Sequence, residues 1–85
     1  MNNNYQIIWK EEIVGYMQDI NIDNFFIYGK WMPRETRHTD NFLKQLNANV
    51  LLEVDLMKQG GKATSHTIDL PPDEQGIIEF RVGKI

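Results

Sequence analysis

The chain reads as a small α+β protein: a curved, antiparallel, six-stranded sheet arrangement in the order β-β-β-α-β-β-β, with one short helix packed on it. Three observations predict this. Six segments are either rich in β-branched and aromatic residues or alternate apolar with polar side chains. A single segment, after Pro33, has helical spacing instead. Short turns separate the segments, and consecutive strands usually pair. A chain of 85 residues is expected to fold as one domain over 1–85, with residues 1–4 frayed.

The elements follow in order. Tyr5–Lys10 suits a strand, with Tyr5, Ile7 and Trp9 on one face. Glu12–Ile20 is the second, with Ile13, Gly15 and Met17 on one side and Val14 and Tyr16 on the other. Gly15 inside it predicts a bulge or a close backbone approach. Phe25–Met32 is apolar on both faces, which marks a central strand, and Pro33 ends it because proline has no N–H for the ladder. Between them, Asp19, Asn21 and Asp23 face water in a connection that tucks in Ile20 and Ile22.

A helix then begins at a Thr36 or Thr39 cap, with Asp40 favouring its positive end. Phe42, Leu43 and Leu46 share one face, and Asn47–Asn49 breaks it. So short a helix needs a sheet to pack on. Val50–Lys58 alternates cleanly, Val50, Leu52, Val54 and Leu56 pointing one way and Glu53 and Asp55 the other. Gln59–Gly61 predicts a hairpin. Pairing Leu56 with Thr64, Val54 with His66, Leu52 with Ile68 and Val50 with Leu70 keeps apolar residues on one face, so this register is preferred. Pro71–Gly76 is a turn, and Ile77–Val82 closes the chain with Ile78, Phe80 and Val82 inward.

Composition narrows the function. With no cysteine, disulfides, thiol catalysis and cysteine-ligated zinc are excluded, and a reducing, cytoplasmic setting is expected. No apolar run reaches the roughly 20 residues of a membrane span. The net charge of −3 argues against nucleic acid. The charge is uneven: from Lys30 to Lys44 the balance is +2, leaving −5 for the remainder, so an acidic partner would suit that segment.

The stretch Asp19–Trp31 begins like a calcium loop, with Asp19, Asn21 and Asp23 at positions one, three and five. Lys30 stands where the bidentate Glu belongs, and the flanks read as strands, which excludes an EF-hand. Gly61–Ser65 ends like a phosphate-binding loop, but Leu56 replaces the first glycine and Ala63 follows the lysine. No second histidine lies at helical ligand spacing from His38 or His66, so no local zinc site is expected, nor any cofactor. His38 and His66 are the candidate functional histidines, as acid–base or pH-responsive groups, with Asp40, Glu53 and Asp55 as further acids. Ser65 cannot pair with His66, because neighbours on a strand point to opposite faces. For His66 a half-buried histidine with a backbone or hydroxyl partner is the simpler expectation.

The segment Tyr28–His38 is the best candidate surface. Trp, Tyr, Met and Arg are enriched at interfaces, and Tyr28, Lys30, Trp31, Met32, Arg34 and Arg37 concentrate there. The sequence therefore predicts a binding domain acting on another protein or on itself, as an inhibitor, immunity-type or adaptor protein. A small enzyme using His38 or His66, and a weak single-stranded nucleic-acid binder, are the alternatives.

Overall fold

A computed structural model of the chain describes residues 4–58 and 60–82. The frayed start expected for 1–4 lies, apart from Asn4, outside the described residues, as does Gln59 of the expected hairpin. The elements are β1 (Tyr5–Trp9), β2 (Glu12–Ile22), β3 (Phe26–Pro33), α1 (Arg37–Asn47), β4 (Leu52–Lys58), β5 (Ala63–Ile68) and β6 (Ile77–Arg81). Each meander forms as expected, and the two then join. β1 pairs with β4 and β3 with β6, all antiparallel, so the sheet closes into a barrel of order β1-β2-β3-β6-β5-β4. Closure removes the open edge strand through which such a sheet associates by pairing.

Closing a sheet this small demands sharp local bends, and β2 supplies two. Against β1, Ile7 faces Gly15 but Ile8 faces Ile13, so Val14 is an extra residue. Against β3, Gln18 faces Lys30 but Asn21 faces Tyr28, with Asp19 at φ 53°. Such bulges bend and twist a strand locally. Glycines make room for both. A Cβ on Gly15 would lie 2.6 Å from the Trp31 ring, and one on Gly29 only 2.4 Å from the Gln18 carbonyl oxygen. Both readings of Gly15, bulge and close approach, hold together. The first bulge also corrects the expected alternation: Val14 and Met17 are both fully buried, while Ile13 pairs with Ile8 on the outer face.

The core lies inside the barrel and under the helix. Ile7, Val14, Met17, Leu56, Ile68, Ile78 and Phe80 fill it, with Phe42 and Leu46 of α1 entirely buried. Burying one such side chain stabilises by about 1.5–3 kcal/mol. The expected β4–β5 register is observed from Leu52 and Ile68 to Leu56 and Thr64. Beyond it three residues depart from expectation. Val50 is 39 % exposed, Leu70 58 % and Val82 36 %, because each lies past the end of its strand. Ile22 is likewise exposed rather than tucked in, at the last position of β2 beyond its second bulge.

α1 joins the end of β3 to the start of β4, so it crosses one mouth of the barrel. Thr36 is its N-cap, accepting from the Thr39 amide at 3.1 Å. Asn49 takes a left-handed conformation at φ 62° and ends it. The Asn49 amide donates to Leu46 and the Val50 amide to Gln45, a Schellman closure that the sequence marked as an asparagine breaker. The β1–β2 turn is less comfortable. Lys10 (φ 51°) and Glu11 (φ 69°) both occupy positive φ, where a two-residue hairpin favours Asn-Gly.

Two outcomes follow for urea-denaturation midpoints. Gly15→Ala and Gly29→Ala each lower stability by about 1–3 kcal/mol through forced overlap with ring or backbone atoms. Lys10→Asn combined with Glu11→Gly raises it by about 1–2 kcal/mol by relieving the turn.

Candidate functional site

β3 divides the sequence-selected residues between two environments. Ile27, Gly29 and Trp31 face inward; Tyr28, Lys30 and Met32 face outward. Trp31 packs partly buried against the core, its ring over the Gly15 backbone and 6.1 Å from the Phe42 ring. It belongs to the join between barrel and helix. Lys30 and Met32 are exposed and Tyr28 is half-buried. Arg34 and Arg37 are exposed beyond the end of β3, flanking the start of α1.

The outward residues of β3 sit within a wider apolar face. Cross-strand pairing sets Met32 beside Tyr16, and Tyr16 beside Gln6. Lys30 lies between Gln18 and Ile77, and Tyr28 between Asn21 and Glu79. Ile8 and Ile13 pair on the same outer side of β1 and β2. The wall formed by β4 and β5 is more polar, presenting Glu53, Asp55, Ser65 and Thr67 besides the apolar pair Met57 and Ala63. The barrel exterior is therefore asymmetric, and its apolar half centres on β2 and β3. Tyr16, Ile8 and Ile13 were not among the residues selected from sequence. Strict alternation had put Ile13 on the face of Met17, and only the bulge at Val14 returns it to the surface.

Arg34 and Arg37 line an open groove of about 560 Å³ with Glu11, Glu12, Thr36 and His38. The groove brings Glu11 of the β1–β2 turn and Glu12 at the start of β2 to the same side of the barrel as the two arginines.

His38 and His66 are far apart in role. His38 stacks on Trp9 with centroids 4.9 Å apart. Its Nε2 donates to the Trp9 carbonyl and its Nδ1 faces the Glu12 carboxylate at 3.4 Å. Lys10 lies over the same Trp9 ring at 4.8 Å. His38 thus ties α1 to the β1–β2 hairpin. His66 is 7 % exposed, on the inner side opposite Val54. Its Nδ1 donates to the Arg81 carbonyl at 2.9 Å, and its Nε2 meets the Thr64 hydroxyl at 2.7 Å. That is the satisfied histidine the register implied. It spans the seam between β5 and β6, where one residue pair, Thr67 with Arg81, completes the ladder.

The acidic stretch that resembled a calcium loop is used by the backbone. Asp23 Oδ1 accepts from the Phe25 and Phe26 amides at 2.9 and 2.8 Å, and Asn21 donates to the Asp19 carbonyl. Asp23 therefore shapes the β2–β3 turn. Among the described residues no group of three or more His, Asp or Glu side chains is arranged to hold a metal ion. Nor is any helix among them long and apolar enough to cross a membrane.

Comparison of the chain with protein-family models, curated proteins and solved structures gave no match.

The two faces of β3 separate in mutagenesis. Trp31→Ala removes a ring wedged between Gly15 and Phe42 and lowers stability by about 3 kcal/mol. Met32→Glu, on the outer face, stays within about 0.5 kcal/mol of the parent. Thermal and urea unfolding of the two variants side by side measures both.

Proposed function

We propose that this chain is a protein-binding domain working in the cytoplasm, an inhibitor, immunity-type or adaptor protein, and that it binds through the outer face of β1, β2 and β3. One observation carries this reading. Ile8, Ile13, Tyr16, Tyr28 and Met32 gather on one half of the barrel exterior, whereas the β4–β5 wall carries Glu53, Asp55, Ser65 and Thr67 with a single apolar pair, Met57 and Ala63. Tyrosine and methionine offer large contact area and adaptable packing, which interfaces favour. Of the residues chosen from sequence, Tyr28, Lys30 and Met32 belong to this face. Arg34 and Arg37 sit at its rim, and Trp31 supports it from within.

The contacts made by the histidines favour binding over catalysis. His38 and His66 each direct both ring nitrogens at groups of the chain itself, in roles that join structural elements. The absence of cysteine suits a reducing compartment.

Site-specific photo-crosslinking tests the face. Benzoylphenylalanine in place of Met32 is expected to give protein adducts in cells, and the same probe in place of Ser65 none. Equal labelling from the two positions, or none from Met32, would remove the outer β3 face as the contact.

A further inference from the structure

Building on that reading, we infer that a second copy of this chain is a partner of the face, and that it docks on the β3–β6 part. Two adjacent cross-strand pairs form a square there: Tyr28 beside Glu79, and Lys30 beside Ile77. Its diagonals have opposite character. Tyr28 and Ile77 are apolar, and Lys30 and Glu79 are opposite charges. Among the described residues neither Lys30 nor Glu79 forms an ion pair; the pairs present are His38 with Glu12 and Arg81 with Asp69.

This pattern is complementary to itself. Consider a two-fold axis lying in the contact plane along the Tyr28–Ile77 diagonal. It sets Tyr28 against Tyr28 and Ile77 against Ile77 of the other copy. It also sets each Lys30 against the Glu79 of the other copy, giving two symmetric charge pairs. With strands about 4.8 Å apart and alternate residues about 6.8 Å apart along each, the strands of the two barrels then cross at roughly 70°, nearer the orthogonal than the aligned way for sheets to pack. A contact of this kind is isologous: each surface meets its own image, which closes the assembly at two chains.

The surroundings fit the same occupant. The loop after β5 raises Leu70, 58 % exposed, and Pro71 beside β6, and with Tyr28, Ile77, Asp73 and Glu79 they border a groove of about 260 Å³. Met32, 38 % exposed, follows Lys30 on the outer face of β3. Two exposed apolar side chains, Leu70 and Met32, thus flank the square. A strongly acidic partner finds Glu79 and Asp73 in its way, and a basic one finds Lys30. A surface carrying one of each charge in the same geometry meets neither obstacle.

Sedimentation equilibrium over a wide concentration range tests this. The parent chain is expected to show a reversible monomer–dimer equilibrium. Lys30→Glu and Glu79→Lys should each weaken it about tenfold or more, since each sets like charges face to face across the axis. The double variant Lys30→Glu/Glu79→Lys restores opposite charges and should return to within about threefold of the parent. Leu70→Asp, in an exposed loop, probes the same contact without touching either strand and should also weaken it. A parent chain that stays monomeric overturns the second copy as partner. Crosslinks from Met32 to a different protein would then still uphold the face. A dimer indifferent to both charge reversals and to Leu70→Asp places self-association elsewhere and equally overturns this inference.

Discussion

The carbonyl oxygen of Val14 is the point on which the architecture turns. It accepts a hydrogen bond from the Arg34 amide at 3.0 Å and another from the Thr39 hydroxyl at 2.8 Å. Arg34 is the first residue past β3, and Thr39 is buried in the first turn of α1. One backbone group at a bulge therefore fixes where β3 ends and how the helix sits. The bulge makes this geometry available, because an extra residue interrupts the regular ladder there. A buried hydroxyl and a buried carbonyl also satisfy each other, which neither does by facing the apolar core.

Much else is arranged around that point. Trp31 fits over the side-chain-free backbone of Gly15, immediately after Val14, and Trp9 and Trp31 both approach Phe42 from below the helix. His38 adds a second tie, from α1 to the end of β1. The aromatic cluster is therefore a lid seal between helix and barrel. It leaves Tyr16, Tyr28 and Met32 to face outward. The bulge that shapes the core is the same feature that sends Ile13 to the surface, so core and candidate binding face have one structural origin.

Several features were legible from residue order because they depend on neighbours in the chain. The β4–β5 register follows from the alternation of Leu52, Val54 and Leu56 and the glycines of the turn. Residue order narrowed the helix start to Thr36 or Thr39 and its end to Asn47–Asn49, and Gly15 announced a bulge or a close backbone approach; local hydrogen bonding selects Thr36 and Asn49. The outward placement of Tyr28, Lys30 and Met32 follows from the period of two, although not which side of β3 is outward. Phe25 and Trp31 were on the same periodic face, yet Phe25 is 64 % exposed in the turn while Trp31 packs inside. Composition alone could not separate them. Nor could the linear count between Lys30 and Lys44 show that Arg34 and Arg37 share a groove with Glu11 and Glu12, which are distant in sequence.

The sequence by itself determined the element order, the class of the fold, the place of the helix in the chain and the pairing of the second hairpin. Each of these rests on side-chain period and local hydrogen bonding, which span only a few residues. Tertiary structure decided that the two meanders close into one barrel and that Trp31 faces the core. It also decided that Tyr16 and Ile13 join the outer face. The reason is physical: closure depends on where a strand bends, and an inserted residue reverses every side chain beyond it. The consequence is visible only when the strand meets partners far away in the chain.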